Sequence, residues 1–406
     1  ILQSAENAIY AYAKAFVQIQ HEYGITSSSI SDNLLPLKYL SELPDKTMQN
    51  QYAQDAELYV ILSLLKNYEF MNSIGQTKHQ MNLKRIFGKN NFAVLSSKKV
   101  VISGNTITNS KKTIYQGQYQ QACLDYPSAI WVAADPSNYS SRSGTAISAI
   151  TIHTVQGSYA GCISYFQNSS ANVSSHYVVR SSDGQVTQMV CETDKAWHVG
   201  SENPYTIGFE HEGFVSDPSW YTDSMYEGSA AIVRDIINSG YGIDALRVSF
   251  WPWAATTHYN SGGIPGACAK IKGHQHYPNQ THTDPGEYWN WDLYYKLIND
   301  TTAASLLTDN SGTLDDTGGL NGDYTDDERT ITVIKPQNAD RVTLEFISFD
   351  IELDWDYLYI YDGATVWDSL MGYYTGNNSP GIVTSTGDAI TLEFRSDCAT
   401  TNPGWE

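Results

Sequence analysis

The segment that most restricts how this chain can fold runs from Gly273 to Gly286 and reads GHQHYPNQTHTDPG. It places three imidazoles and one carboxylate within fourteen residues, which is a metal-binding composition. Pro278 and Pro285 forbid a continuous helix, because proline lacks the backbone N–H and clashes with the preceding turn. His274 and Asp284 must therefore converge by loop folding, and a third ligand has to come from elsewhere in the chain.

The best source of that third ligand is the run AITIHT at residues 149–154, which ends in His153 and Thr154. Its β-branched residues predict a buried strand that holds the imidazole at its end. His153, His274 and Asp284 then provide three N/O ligands. Three such ligands with one open position are typical of catalytic zinc, whereas structural zinc sites usually have four ligands and are rich in Cys. We expect His276 to be a solvent-exposed loop residue, and nothing beyond its identity supports His258 as a ligand.

Several ordered blocks occur between Tyr126 and Asn299: Ile152-His153-Thr154, Ser175-His176-Tyr177, Ala196-Trp197-His198-Val199-Gly200, Ile207-Gly208-Phe209-Glu210-His211-Glu212-Gly213, and the ends of the segment from Gly273 to Gly286. In these blocks the chain resembles the zinc-dependent N-acetylmuramoyl-L-alanine amidases, relatives of the peptidoglycan recognition proteins and of amidase-type phage lysozymes. The resemblance implies an α/β domain with a mixed central sheet flanked by helices. It also implies one zinc ion on His153, His274 and Asp284, and hydrolysis of the amide bond between N-acetylmuramic acid and L-alanine in peptidoglycan or muropeptides.

A non-catalytic peptidoglycan-binding recognition protein is the alternative function. Related non-catalytic proteins typically lose a metal ligand, whereas this chain keeps all three candidates, His153, His274 and Asp284. The sequence therefore favours the enzyme.

The resemblance also assigns roles around the metal. Glu210 matches the position of the family's catalytic glutamate, where a buried carboxylate takes a proton from water and passes it to the leaving amine. Glu212, two residues further along a predicted strand, shares that face and remains a competitor. His282 stands where many relatives carry Lys, and it would donate a hydrogen bond to the developing oxyanion. A purely structural histidine is the alternative for His282.

Trp197 and His198 match residues that border the groove for the stem peptide, so the resemblance implies that they bind substrate. Packing is the competing interpretation for His198, and core packing is the prediction for His176. Cys162, Cys191 and Cys268 are predicted to be buried thiols or a local disulfide, since no neighbouring base would activate them as nucleophiles.

The chain divides into three predicted regions. Residues 1–120 read as a mainly helical region of unknown role, and residues 121–308 as the catalytic domain. From Asp309 the composition changes to nineteen acidic against four basic residues with alternating apolar positions, which predicts a separate all-β domain after a short polar linker. We expect this domain, residues 309–406, to be an accessory module that attaches to a cell surface or a protein.

Four blocks of this last region read GTLDDTGG at 312–319, FDIE at 349–352, DYLYIYDG at 356–363 and FRSD at 394–397. They resemble a CUB domain, which is a β-sandwich. The resemblance implies a calcium site on Glu352, Asp356 and Asp397, because Ca²⁺ prefers carboxylate oxygens. A solubilising acidic surface is the alternative. The disulfides usual in animal members are not expected, and the end at Glu406 predicts that the last strand is truncated.

Charge and hydropathy exclude several kinds of partner. A formal net charge of -20 and a pI near 4.7 argue against nucleic acid, whose phosphates would be repelled. The sequence has no apolar run of the roughly twenty residues that a transmembrane helix needs. The start at Ile1 suggests a processed form. We therefore expect a secreted, periplasmic or cell-surface protein.

Overall fold

The computed structural model describes residues 5–22, 33–41, 43, 47–104, 106–116, 124–258 and 268–406. The chain forms two compact units. Unit 1 comprises Ile1–Ser140, Gly157–Val178 and Thr187–Asp194, and unit 2 comprises Ser141–Gln156, Val179–Val186 and Lys195–Glu406. Cys123 lies outside the described residues. Within those residues, no helix is both long and apolar enough to cross a membrane.

Unit 1 begins with a run of helices, as the sequence predicts for the N-terminal region. Thr47 starts α3, because its side-chain oxygen accepts a hydrogen bond from the Asn50 N–H at 3.1 Å. Leu58 and Leu62 on α3 pack against Leu83 and Phe87 to form a small apolar core. The helices are α1 (Ala5–Glu22), α2 (Leu34–Tyr39), α3 (Met48–Lys66), α4 (Tyr68–Ser73), α5 (Leu83–Phe87) and α6 (Lys89–Leu95).

Short strands and one helix follow in the chain. They are β1 (Val100–Ser103), β2 (Thr106–Asn109), β3 (Ile130–Trp131), β4 (Tyr139–Ser141), β5 (Ala149–Thr154), α7 (Tyr159–Phe166), β6 (Tyr177–Val179), β7 (Val186–Gln188) and β8 (Asp194–Ala196). Of these, β5 belongs to unit 2, and β4, β6, β7 and β8 have residues in both units. β3 runs parallel to β7. In the hairpin of β6 and β7, the Met189 N–H donates to the His176 carbonyl oxygen at 2.8 Å.

Unit 2 contains the strands and helices that carry the candidate site. Its elements up to residue 298 are β5, β9 (Thr206–His211), α8 (Asp223–Asn238), β10 (Ile271–Gly273) and α9 (Trp291–Ile298). The three strands run parallel in the order β10-β5-β9. Every residue of β5 is buried, as expected for a central strand covered on both faces. Helices α8 and α9 begin at the side-chain caps Thr222 and Asn290. The predicted α/β fold, a mixed sheet with helices, is confirmed.

The C-terminal part of unit 2 is an all-β structure, as predicted, and we call residues 305–406 the C-terminal sandwich. Its strands are β11 (Ser305–Leu307), β12 (Arg329–Ile334), β13 (Thr343–Glu345), β14 (Phe349–Asp350), β15 (Tyr357–Asp362), β16 (Ser369–Tyr374), β17 (Ile382–Thr384), β18 (Ile390–Arg395) and β19 (Gly404–Trp405). The main sheet has the order β11-β12-β18-β15-β16, so its first strand begins before Asp309. β19 pairs with β14.

The C-terminal sandwich packs tightly against residues 247–258 and 268–296 of the same unit. A disulfide joins Cys268 to Cys398, which differs from the predicted thiol or local disulfide at Cys268 because the partner lies 130 residues away. The indole N–H of Trp251 donates to the Trp355 carbonyl oxygen at 2.8 Å. That of Trp253 donates to the Asp354 carbonyl oxygen at 2.7 Å. The all-β region is therefore attached by packing and a covalent bond, and not by a polar linker alone.

Arg395 is the centre of this packing. Its side chain is completely buried, and its guanidinium lies 4.2 Å from the ring centre of Tyr295 and 4.3 Å from that of Tyr359. The charge is balanced by Asp292 at 2.9 Å and by Glu393 at 2.8 Å. A buried charge is tolerated only when it is paired in this way, so Arg395 depends on carboxylates from α9 and from its own strand.

Candidate metal centre

His153, His274 and Asp284 lie together, as the sequence predicts. The Nδ1 atom of His153 is 3.0 Å from Asp284 Oδ2, and the Nδ1 atom of His274 is 3.4 Å from Asp284 Oδ1. One potential ligand atom from each residue falls within 4.8 Å of the others, and all three residues are buried. Two imidazole nitrogens and one carboxylate match the donor set of a catalytic zinc site.

The three side chains reach this position from one strand and one loop. His153 is at the end of β5, and His274 begins a 3₁₀ turn directly after β10, which pairs with β5. Asp284 returns to the same place through the loop that follows. Gly273 permits this return, because a Cβ atom there would lie 2.5 Å from the Cδ atom of Pro285. His274 and Asp284 are therefore brought together by the fold of the loop and not by helical spacing, because the two prolines prevent a continuous helix.

Burial shapes the charge at this centre. Loss of water lowers the pKa of His153 to about 4, so its imidazole is neutral near pH 7 and can offer a lone pair. Burial alone would raise the pKa of Asp284, but hydrogen bonds from His153 and His274 outweigh it and hold that pKa below its usual range. A neutral imidazole beside an ionised carboxylate is the protonation state that metal ligation needs.

The outer nitrogens of both histidines also have partners. His153 Nε2 lies 2.9 Å from His198 Nδ1, and His274 Nε2 lies 3.0 Å from Gln280 Oε1. Sequence reasoning missed Gln280. Its only signal was an amide side chain inside the loop that carries two predicted ligands.

Glu210 is placed beside the ligand strand, because it pairs in register with His153 on β5. Glu210 keeps some exposed surface, yet its Oε2 atom is buried and has no hydrogen-bond partner within the described residues. Burial, with a smaller contribution from the charge of Asp284, raises the pKa of Glu210 to about 8. A carboxyl group whose pKa lies near neutrality can both accept and return a proton.

Glu212, the competing carboxylate, follows β9 and is committed elsewhere. Its Oε2 atom accepts a hydrogen bond from the Ser181 N–H at 3.0 Å. Its backbone is also held in place, because the Glu212 N–H donates to the Val179 carbonyl oxygen at 2.9 Å. These bonds give Glu212 a structural setting that Glu210 lacks.

The remaining predicted site residues lie at the edge of the centre. The ring of His282 stacks on that of His274 with centres 4.2 Å apart, and His282 Nδ1 is 3.7 Å from Asp284 Oδ1. The side chain of His282 is 61% exposed, so it can meet a ligand from solvent. Trp197 is half-buried directly after β8.

His276 differs from the sequence prediction, because it is completely buried and not exposed in the loop. Its Nδ1 atom accepts a hydrogen bond from the Gly273 N–H at 3.0 Å, and its Nε2 atom is 2.8 Å from the Ala254 carbonyl oxygen. Burial lowers the pKa of His276 to about 3, so the ring is neutral. It anchors the loop to Ala254, a long-range contact that local sequence cannot reveal.

A second group, Glu352, Asp356 and Asp397 in the C-terminal sandwich, also brings one carboxylate oxygen from each residue within 4.8 Å of the others. Asp356 accepts hydrogen bonds from the Tyr324 hydroxyl at 2.5 Å and from the Asp397 N–H at 2.7 Å. Burial raises the pKa of Glu352 to about 7 and that of Asp356 to about 8, and repulsion among the acids adds to both shifts. Three crowded carboxylates need either protons or a cation, and an all-oxygen set fits a hard cation.

Known protein families match both the region of the metal centre and the C-terminal sandwich. Residues 143–287 match the family model described as N-acetylmuramoyl-L-alanine amidase, and residues 303–406 match that of the CUB domain. The chain is 42% identical over 177 residues to N-acetylmuramoyl-L-alanine amidase A of Achromobacter lyticus, covering 43% of this chain and 96% of that protein. It is 28% identical to cubilin of Homo sapiens over 134 residues, which are 32% of this chain and 4% of cubilin.

A third relative is 1,6-anhydro-N-acetylmuramyl-L-alanine amidase AmpD of Salmonella typhimurium, strain LT2. It is 28% identical over 134 residues, which are 31% of this chain and 57% of that protein. Each of these three relatives therefore matches less than half of this chain.

Proposed function

The chain belongs to the N-acetylmuramoyl-L-alanine amidase family, and we propose that it hydrolyses the amide bond between N-acetylmuramic acid and L-alanine of peptidoglycan with the help of one zinc ion. The observation that carries the proposal is the buried group of His153, His274 and Asp284 beside the unpartnered carboxylate of Glu210. These are the elements of metal-assisted amide hydrolysis.

The metal would be held by His153 Nδ1, His274 Nδ1 and a carboxylate oxygen of Asp284. When bound, zinc supplies Lewis acidity toward the scissile carbonyl and toward water. The chain contributes a rigid, buried and largely preformed ligand set, so little reorganisation is needed on binding. The absence of sulfur from this set fits a catalytic centre better than a structural one.

Glu210 acts as the general base and then as the general acid. Its carboxylate takes the proton of the attacking water and returns it to the nitrogen of L-alanine as the amide bond breaks. Its raised pKa suits both halves of this exchange, because proton transfer is most effective when the pKa lies near the working pH.

His282 donates a hydrogen bond to the carbonyl oxygen as negative charge develops on it. Its exposed ring beside His274 and Asp284 supports this role, since the substrate has to approach from solvent. Trp197 borders the groove for the stem peptide. The retained metal ligands give no support to a purely non-catalytic recognition protein.

We assign calcium to Glu352, Asp356 and Asp397, whose crowded oxygens a divalent cation would neutralise. A cell-wall substrate and a CUB domain together support a secreted, periplasmic or cell-surface location. The C-terminal sandwich would there assist attachment to the wall, a cell surface or a protein.

The proposal is tested by digesting purified peptidoglycan with the full zinc-loaded chain and analysing the products by mass spectrometry. We expect stem peptides with a free L-alanine amine and glycan strands with a free lactyl carboxyl. Cleavage between sugars or within the stem peptide would assign the enzyme a different bond.

A further inference from the structure

A hydrogen-bonded chain of two side chains, His198 and Thr206, leads away from His153 and has no part in the proposed chemistry. His153 Nε2 lies 2.9 Å from His198 Nδ1, and His198 Nε2 lies 3.2 Å from Thr206 Oγ1. We propose that His198 and Thr206 are positioning residues that hold His153 in the single tautomer able to bind the metal through Nδ1. This inference rests on the proposed zinc site.

In the zinc-loaded site, the direction of every proton in the chain would follow from its far end. The Thr206 hydroxyl donates to the Glu202 carbonyl oxygen at 2.9 Å, and a carbonyl can only accept. With its one proton used, Thr206 Oγ1 accepts from His198 Nε2–H. His198 Nδ1 is then unprotonated and accepts from His153 Nε2–H. His153 Nδ1 would then be left with its lone pair for the ion, which takes the place of the 3.0 Å hydrogen bond that Nδ1 makes to Asp284 in the metal-free site.

The backbone around His198 is fixed as firmly as its ring. The N–H groups of His198 and Val199 donate to Asn203 Oδ1 at 2.9 and 2.7 Å. The guanidinium of Arg142 donates to the carbonyl oxygens of Pro204 at 2.8 Å and Thr206 at 2.9 Å. Since the turn cannot shift easily, the imidazole is held at a set distance from His153.

The neighbouring strand also makes room for this ring. A Cβ atom at Gly208 would lie 2.6 Å from Cγ and Nδ1 of His198, so only glycine allows the ring to occupy its place. Gly208 is on β9 between Thr206 and Glu210. The strand that carries the proposed base therefore also seats the positioning imidazole.

An independent contact orients His274, the second histidine ligand, in the same way. Gln280 Oε1 accepts from His274 Nε2–H at 3.0 Å, which leaves His274 Nδ1 as its ligand atom. Both imidazoles thus present Nδ1 to Asp284. Partners of this kind commonly change metal affinity by about 10- to 100-fold when they are removed.

The test compares Thr206→Val with Thr206→Ser in the full chain. Valine keeps the shape of threonine but removes the hydroxyl, whereas serine keeps the hydroxyl. We measure the zinc Kd by competition with a chelator, and the tautomer of His198 by ¹⁵N NMR of the histidine-labelled, zinc-loaded protein. The proposal expects Thr206→Val to weaken zinc binding by about 10-fold and to reduce the Nε2–H tautomer of His198, while Thr206→Ser restores both.

A second variant, His198→Phe, removes the acceptor for His153 Nε2–H and should weaken zinc binding by about 10- to 100-fold. Circular dichroism of each metal-free variant separates this effect from misfolding. Zinc affinity equal to wild type in both Thr206→Val and His198→Phe would overturn the positioning role. Failure of the wild-type chain to bind zinc at all would instead overturn the proposed function.

Discussion

At the scale of single residues, the structure distinguishes the carboxylates of Glu210 and Glu212, which have similar positions in the sequence. Glu210 and Glu212 are two positions apart, and strand periodicity alone puts them on the same face. The structure distinguishes them by partners, because Glu212 accepts from the Ser181 N–H while Glu210 Oε2 is buried and unpaired within the described part of the chain. An unpaired buried oxygen costs free energy, so its retention favours a function for Glu210.

Glu210→Gln should keep zinc but lose at least about 100-fold in kcat, because the amide has nearly the same shape and cannot accept a proton. Glu212→Gln is the matched control and should stay within a few-fold of wild type, since its side-chain oxygen can still accept from Ser181. Steady-state kinetics on a soluble muropeptide, with zinc content measured for each variant, checks this. The reverse order of losses would identify Glu212 as the base.

At the scale of elements, local patterns predicted the parts of the site well. The β-branched run before His153 is a buried strand, and the prolines after His274 do prevent a helix. What local sequence could not predict was contact between distant segments. The burial of His276 depends on the carbonyl oxygen of Ala254, and Cys268 depends on a partner 130 residues away. Neither contact leaves a periodic signal.

The acidic group in the C-terminal sandwich belongs to this scale, because it joins the segment before β15 to the one after β18. Calcium should raise the melting temperature of the full chain and a chelator should reverse the rise, since a ligand bound only by the folded state stabilises it. Asp356→Asn is the control and should abolish the shift. A melting temperature that is insensitive to calcium would rule out a calcium site on Glu352, Asp356 and Asp397.

At the scale of the whole chain, the sequence predicts a separate accessory module from Asp309, and the structure packs this region against earlier residues of unit 2. Phe250 and Trp251 are almost completely buried, and the Tyr359 hydroxyl donates to the Phe250 carbonyl oxygen at 3.3 Å. The disulfide from Cys268 lies six residues before His274 in the chain. The C-terminal sandwich therefore supports the segment that leads into the metal loop.

A chain ending at Asn310 should consequently melt at a lower temperature and lose turnover on soluble muropeptides. Fully burying an aromatic side chain contributes about 1.5–3 kcal/mol, and truncation would expose more than one. Cys398→Ser in the full chain is the control, because it removes the disulfide and leaves the packing. Unchanged melting and kcat/KM after truncation would show that the sandwich is an independent accessory after all.

We propose that zinc on His153, His274 and Asp284 performs the hydrolysis. The role of zinc is tested by measuring the zinc content of purified His153→Ala and His274→Ala together with their amidase activity. Two remaining ligands cannot hold the ion against water, so we predict that each variant loses stoichiometric zinc and activity together. Either variant that kept one zinc per chain and wild-type turnover would show that these residues do not hold a catalytic zinc ion.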